Sequence, residues 1–195
     1  MGQPKTIAVF SGKGGVGKTT IAAALGTLAG GTLIDADPQA SLAIWGDRRQ
    51  LPHPVILELA LSRVATRLAQ INEPVVIDTP GVLAGAVLEA LRAVDLIVVP
   101  VLFDQLNIDV LQQTLDTAEL AGTQTVLLPN RVHHRTAATS VTKELQEYGL
   151  PVCPIPVRER ASYRDCWADG LSAAEVAGAG QQDFADIWAW IQEVV

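Results

Sequence analysis

The stretch GKGGVGKT at residues 12–19 stands between a short apolar run and an alanine-rich segment. It has the form G-x-x-x-x-G-K-S/T, in which glycines let backbone N–H groups turn inward around phosphate oxygens without steric strain. A strand before such a loop and a helix after it direct the helix N-terminus, with its partial positive charge, at the phosphates. The stretch therefore predicts a phosphate-binding loop between a strand and a helix. The predicted nucleotide-binding residues of this loop are Gly12, Lys13, Gly14, Gly15, Val16, Gly17, Lys18, Thr19 and Thr20.

Two acidic segments follow the next predicted strands, DADPQ at residues 35–39 and VIDTPG at residues 76–81. Carboxylates at the ends of neighbouring parallel strands converge on the loop, where they can hold Mg²⁺ and orient an attacking water. In the loop itself, Lys18 is placed to reach the β and γ phosphates and Thr19 to hold Mg²⁺ through its hydroxyl. An alternative for Asp37 and Asp78 is that they cap the helices that follow them.

Short β-branched runs alternate with helical stretches along the whole chain. The predicted strands are residues 6–10, 32–35, 75–78, 96–101, 125–128 and 152–155. The predicted helices are residues 18–29, 55–69, 83–93, 108–121, 136–148 and 181–193. Continuous apolar strands are typical of parallel sheets that are buried on both faces. The alternation predicts an α/β fold, a doubly wound and mostly parallel sheet with helices on both faces, formed as a single domain over residues 1–195.

Composition excludes several classes of protein. The 195 residues are 49% apolar and 18% charged, which is typical of a compact globular protein and not of a disordered or collagen-like one. The net charge of −7 argues against a histone-like surface that is basic throughout. Cys153 and Cys166 form no CxxC pair, which favours free thiols in a reducing cytoplasm over a zinc site or a disulfide framework.

The segments KGGVGKTT, DADPQASL, VVIDTPG and VDLIVVPV together resemble the ParA/MinD superfamily of deviant phosphate-loop ATPases. The resemblance implies ATP and Mg²⁺ as cofactors and a dimer that closes only when ATP is bound. It implies that Lys13 reaches across the dimer to the partner's phosphates and that Asp37 positions the hydrolytic water, so Lys13, Asp37 and Lys18 are the predicted catalytic residues. The implied metal residues are Thr19, Asp35 and Asp78.

The same resemblance assigns the base site. Asn130, in LLPNRV, matches the position that contacts adenine, and the backbone near Pro156 would complete the pocket. No NKxD guanine motif surrounds Asn130, so ATP is favoured over GTP. Asn130 could otherwise be an ordinary turn residue after a strand.

Basic charge is concentrated late in the chain. Residues 131–164 carry six basic and three acidic side chains, although the whole chain is acidic. The segment PVRERASYRDCWADG resembles the region in which ParA proteins bind DNA without sequence preference, so Arg158, Arg160 and Arg164 are predicted DNA contacts. The alternative is an ordinary solvated surface.

The resemblance implies an ATPase, weak unless a partner stimulates it, that binds nucleoid DNA and positions a plasmid, a chromosome region or a protein cargo. A ParB-like or other activating adaptor is the implied partner. The main alternative is a MinD-like ATPase of the membrane surface, but the tail QQDFADIWAWIQEVV has three acids and no Lys or Arg, which disfavours anionic lipid. An iron–sulfur carrier and a metabolic kinase or ligase are further alternatives. We expect a cytoplasmic, nucleoid-associated protein with no membrane partner.

Overall fold

The computed structural model describes residues 5–81, 85–102 and 108–194. Within these residues six strands form one sheet in the order β3-β2-β4-β1-β5-β6, and every pairing is parallel. The strands are β1 (Thr6–Val9), β2 (Thr32–Asp35), β3 (Val55–Glu58), β4 (Val75–Asp78), β5 (Leu96–Leu102) and β6 (Gln124–Asn130). The predicted α/β fold is confirmed.

Helices cover both faces of this sheet. They are α1 (Lys18–Ala29), α2 (Ser41–Gly46), α3 (Val64–Leu68), α4 (Gly85–Arg92), α5 (Ile108–Ala121), α6 (Ala138–Leu145), α7 (Ser162–Ala168) and α8 (Ala179–Val194). Successive strand residues point to opposite faces, so Val76 packs with α1, α2 and α8 while Ile77 packs with α3 to α6. Two apolar cores result, one on each side of the sheet.

The helix predicted over residues 55–69 is wrong. Its first part is strand β3, which pairs with the edge of β2, and a 3-10 turn at Leu61–Arg63 leads into the short α3. The Val55 N–H donates to the Gly31 carbonyl at 3.1 Å. A short apolar run reads equally well as a strand or a buried helix. Its β-branched start and the open edge of β2 favour the strand.

The strand predicted over residues 152–155 is also wrong. Prolines stand at positions 151, 154 and 156, and proline has no N–H to donate to a sheet. The segment therefore meets the sheet only through isolated bridges, Leu127 with Val152 and Val132 with Arg158.

Other differences concern the ends of helices. The segment predicted as helix 136–148 is α6 followed by a 3-10 turn at Gln146–Tyr148, and the helix predicted over residues 181–193 is the longer α8. Of the helix predicted over residues 83–93, the structure describes α4, while residues 83 and 84 lie outside the described ranges. Helix α2 was not predicted; it begins six residues after β2 ends and closes over the end of that strand.

The sheet order places the candidate site. Strand β1 lies between β4 and β5, and β4 lies between β1 and β2. The carboxyl ends of β1, β2 and β4 are therefore neighbours, and each is followed by one of the segments singled out above. Ligands of open α/β sheets bind at this end of the strands.

Candidate functional site

The loop between β1 and α1 takes its shape from two glycines and two contacts. Gly15 and Gly17 have φ values of 72° and 92°, in the left-handed region that favours glycine. A Cβ on Gly17 would also collide with the side-chain amide of Asn130. On the other side, the Gly12 N–H donates to the Thr114 hydroxyl of α5 at 3.1 Å. The loop is thus held between β6 and α5.

Lys18 starts α1 and is only 7% exposed. Its ammonium donates to the carbonyl of Lys13 at 3.2 Å, which folds the side chain back along the loop. Burial lowers the pKa of Lys18, while the carboxylates of Asp78 and Asp37 act in the opposite direction. The side chain therefore presents a poorly solvated cation inside the loop, where an anion would be strongly favoured.

Asp78 ends β4 and is 1% exposed. Neither of its carboxylate oxygens accepts a hydrogen bond from the described residues. Burial raises the pKa of Asp78 to about 7, and the Asp35 carboxylate adds to the shift, while the nearby Thr19 hydroxyl and Lys18 ammonium oppose it. The next residue, Thr79, donates its hydroxyl to the Val9 carbonyl at 2.8 Å and fixes the end of β4 against β1.

This carboxylate suits a divalent cation. Buried carboxylate oxygens without a donor are unfavourable unless a positive charge compensates them, and oxygen ligands are those that Mg²⁺ prefers. Thr19 lies beside Asp78 at the start of α1 and brings a hydroxyl oxygen to the same place. Gly81 packs closely on the loop, because a Cβ there would lie 3.2 Å from the Gly14 nitrogen and from the Lys18 ammonium.

Asp35 ends β2 in register with Asp78 but has a different environment. One oxygen accepts from the Asp37 N–H at 3.1 Å, and the other accepts from the N–H groups of Leu42 and Ala43, each at 2.9 Å. Asp35 therefore holds the first turn of α2. Burial raises the pKa of Asp35 and these three hydrogen bonds oppose the rise. These contacts favour a supporting role for Asp35 over direct metal ligation.

One cavity of about 1050 Å³ brings most of the predicted phosphate and metal residues together. Its walls include Gly14, Gly15, Gly17, Lys18, Thr19, Thr20, Asp35 and Asp37. Asp37 is partly exposed there, and its carboxylate accepts from the Gln39 N–H at 2.9 Å. The cavity thus combines a cation, backbone donors and carboxylates, as phosphoryl transfer requires.

Lys13 lies to one side of this cavity. It borders a small space with Ser11, Val16 and the end of β5, and its backbone N–H donates to the Ser11 hydroxyl at 3.3 Å. The predicted catalytic role of Lys13 depends on a partner subunit and stays a prediction.

A second cavity of about 770 Å³ opens from the first and contains the predicted base site. The two cavities share Gly17, Thr20, Arg131 and Trp167. In the second cavity Asn130 is 4% exposed, and its amide nitrogen donates to the Val16 carbonyl at 2.6 Å.

Residues after Asn130 shape the same wall. The Asn130 amide oxygen accepts from the Arg131 N–H at 2.9 Å, and Arg131 has a left-handed φ of 52° that is uncommon for a residue with a side chain. Pro156 is buried, and the wall next to it is formed by Val157 and Arg158.

The three predicted DNA contacts differ in their surroundings. Arg158 donates to two backbone carbonyls of the loop 133–136, at 2.9 and 2.7 Å. Arg160 forms an ion pair with Asp183 of α8 at 2.6 Å. Arg164, on α7, is exposed. All three line the second cavity.

Two further cavity residues were missed by the sequence analysis. Arg48 follows α2 and Trp167 lies on α7, and both line the second cavity. No local pattern marks either residue, because tertiary packing alone brings the end of α2 beside α7. Their proximity could not be derived from spacing along the chain.

Residues 7–172 match the family model described as the CobQ/CobB/MinD/ParA nucleotide binding domain. The chain belongs to this family. The predicted ParA/MinD resemblance is therefore confirmed, and the chain is a nucleotide-binding ATPase of the ParA/MinD type.

Two relatives of the chain carry different names. The chain is 33% identical, over 92% of its length and 88% of the relative's, to "Maintenance of carboxysome distribution protein A" of Gloeobacter kilaueensis. It is 25% identical, over 80% of its length and 79% of the relative's, to "Protein ParA" of Rhizobium radiobacter.

A solved structure shares the fold. This is a putative plasmid partition protein of Borrelia burgdorferi bound to AMPPNP, with a TM-score of 0.79 and 17% identity, covering 99% of this chain and 100% of that one. Among the helices in the described ranges, none combines the length and apolar character needed to cross a bilayer.

Proposed function

We propose that this protein is an ATPase that binds ATP with Mg²⁺ in the joined cavities and works as one domain over residues 1–195. The observation that carries the proposal is Asp78, whose buried oxygens accept no backbone N–H of the described residues and lie near the Thr19 hydroxyl and the Lys18 ammonium. Mg²⁺, when bound, would neutralise phosphate charge beside this carboxylate. ATP is supported as the nucleotide by the family match and by the AMPPNP bound to a protein of the same fold.

Different residues of the chain would bind the phosphates, the metal, the attacking water and the base. The loop N–H groups and Lys18 hold the phosphates, Thr19 and Asp78 hold the metal, and Asp37 orients the water that attacks. Asn130 and the backbone near Pro156 bound the adenine. The family resemblance implies that Lys13, which lines a small separate space beside the phosphate cavity, contacts the phosphates of a partner subunit in an ATP-dependent dimer.

Asp37 provides the test of hydrolysis. Asp37 is partly exposed in the cavity, and its carboxylate accepts a hydrogen bond from the Gln39 N–H at 2.9 Å. We expect Asp37→Ala to bind ATP about as well as the wild type but to lose ATP turnover, at least about 100-fold, since general-base or water-positioning groups contribute about that much. Turnover is measured by phosphate release, and an unchanged rate would remove Asp37 from the mechanism.

In the cycle proposed for this ATPase, the ATP-bound dimer binds to nucleoid DNA. Arg158, Arg160 and Arg164 lie on one basic wall, and an ATP-dependent dimer would double it. A nucleoid-associated protein of this type would position a cargo through a ParB-like or other adaptor. The name of the Gloeobacter kilaueensis relative supports a protein assembly as cargo, and the name of the Borrelia burgdorferi protein supports a plasmid.

DNA binding is tested with random-sequence duplex DNA at low salt, comparing ATP with ADP. We expect binding only with ATP, falling steeply as salt rises because counterions are released. Arg164→Ala should weaken binding most, since Arg158 and Arg160 already have protein partners. Arg63→Ala, on the opposite helical layer, is the control. Equal binding in both nucleotide states would contradict the proposed cycle.

A further inference from the structure

The joined cavities contain an aromatic side chain that the proposed function leaves without a role. Trp167 lines both cavities, at the place where they meet. With it stand Gly17 and Thr20 of the phosphate loop and the start of α1. A ligand that extends from the phosphate loop into the second cavity must pass this side chain.

Trp167 is held rigidly from one side. Its ring stacks on Trp45, with the centroids 5.2 Å apart and the planes inclined by 20°. Trp45 is fully buried, and the guanidinium of Arg49 lies 4.5 Å from the centroid of its ring. Arg49 is fixed in turn by Glu175, at 2.8 Å. The ring of Trp167 is therefore pre-positioned before any ligand binds.

The two stacked rings differ in their degree of burial. Trp45 belongs to the apolar core, whereas Trp167 packs at the edge of that core and stays partly exposed on the cavity side. A side chain needed only for packing would gain more by complete burial. The partly exposed ring instead leaves an indole surface for something in the cavity.

The other residues that line the cavities restrict which ligand could contact this indole. The second cavity is lined by five arginines and one glutamate, and two of the arginines, Arg158 and Arg160, already bond other protein groups. The five arginines are Arg48, Arg131, Arg158, Arg160 and Arg164. The phosphate loop in the first cavity takes the anionic end of a ligand, and the indole at the junction of the two cavities suits a flat aromatic end.

We infer that Trp167 is the stacking platform for the base of the bound nucleotide, and so a specificity-determining residue of this ATPase. The inference rests on the proposed function. Asn130 contributes less than a free amide would, because its nitrogen and its oxygen each already have a protein partner. Stacking on an indole gives affinity for the base without using its hydrogen-bonding edge.

The test compares two ligands that differ in the nucleoside. The binding of ATP and of tripolyphosphate, each with Mg²⁺, is measured by calorimetry on the full chain. We expect Trp167→Leu to weaken ATP binding about 5- to 150-fold, the range for loss of one base–aromatic stack. Tripolyphosphate binding should change by less than about twofold, because it has no base to stack. Trp167→Phe should restore most of the ATP affinity.

Controls separate a binding role from a folding role. Trp190→Leu removes a partly buried tryptophan of α8 that lies on neither cavity wall among the described residues, and it should leave both affinities unchanged. In the wild type, ATP should change tryptophan emission and tripolyphosphate should not. That readout needs no variant, so a Trp167→Leu protein that failed to fold would not prevent the test.

Two outcomes overturn the inference and leave the proposed function intact. One is an unchanged ATP affinity in Trp167→Leu. The other is an equal loss of affinity for ATP and tripolyphosphate, which would show that Trp167 acts through the loop. A wild-type protein that binds neither ligand would overturn the proposed function together with the inference.

Discussion

The ends of β2 and β4 present the same residue in the same register with opposite surroundings. Asp35 and Asp78 are partners across the two strands, and each is 1% exposed. Asp35 accepts three backbone N–H groups, whereas Asp78 accepts none from the described residues. The difference shows that strand position alone does not assign a role to a carboxylate. What matters is whether the chain that follows folds back to supply donors.

The segment after β2 folds back onto its carboxylate, whereas residues 79–81, the described residues between β4 and α4, supply no donor to Asp78. Helix α2 begins six residues after Asp35 and directs its free N-terminal N–H groups at that carboxylate. After Asp78 the chain runs through Thr79 and Pro80 to Gly81, which packs on the phosphate loop instead. Asp35 is thus satisfied within the protein, while Asp78 keeps its oxygens for a cation.

Removing Lys18 should have the largest effect on ATP binding, because its ammonium is the buried cation of the phosphate loop and interacts with Asp78 at the end of β4. We expect Lys18→Met to weaken ATP binding about 30- to 4,000-fold, since truncating one partner of a buried charge pair, here the pair that Lys18 would form with a phosphate, costs about 2–5 kcal/mol. Binding is measured by calorimetry. Lys143→Met, at an exposed site on α6, is the control and should bind normally. ATP binding by the Lys18 variant with wild-type affinity would contradict the assignment of the loop.

Replacing Asp35 should lower the stability of the fold, because this carboxylate holds the start of α2. Asp35→Ala leaves two N–H groups of α2 without their acceptor, and we expect a loss of about 2–3 kcal/mol in the free energy of unfolding. Urea denaturation near neutral pH, without nucleotide, measures this loss. Asp35→Asn retains an acceptor oxygen and should lose less. A loss of the same size in Asp78→Ala would remove the distinction between the two carboxylates.

The stability of the protein without metal should depend on pH through Asp78. The pKa of about 7 in the folded protein is above the usual value of 3.8, so the folded state holds a proton that the unfolded state has released. Between these values the apo protein should therefore gain stability as the pH falls. From about pH 8 to about pH 5.5 the gain from Asp78 is about 2 kcal/mol.

Asp78→Asn isolates that contribution. The amide does not titrate in this range, so the variant should lack the gain, and at about pH 8 it should be more stable than the wild type without metal. Thermal unfolding of both proteins across the pH range measures the difference. Parallel stability curves would show that Asp78 is not the group that binds the proton.

A structural feature could be predicted from the sequence when a contiguous segment encodes it, and could not be predicted when it depends on tertiary packing. The phosphate loop and the strands around it follow from a contiguous motif and from apolar runs, so they could be predicted. Strand β3 could not, because a short run such as VILE acquires its conformation from the open edge of β2. The same limit applies to the site. Asp35 and Asp78 are alike in sequence, and only the fold of α2 separates them.

The second cavity shows the same limit more strongly. Asn130 could be placed because the segment LLPNRV resembles the part of the family that contacts adenine. Arg48 and Trp167 are more than 100 residues apart in the chain and meet only because α2 packs beside α7. No periodicity or spacing encodes such a contact.

The proline-interrupted segment after β6 has a consequence for assembly. The outer edge of β6 is met by three backbone contacts, from Leu127 to Pro151 and from Cys153 and Val157 back to the strand. The Leu127 N–H and the carbonyls of Leu127 and Pro129, with which an incoming strand would pair, are thus occupied, and the covering segment, broken by prolines, is itself a poor template for another chain. The sheet cannot be extended at this end by strand addition. At the β6 end of the sheet, copies of this chain would therefore have to associate through loops and helices and not through a continuous ladder of backbone hydrogen bonds.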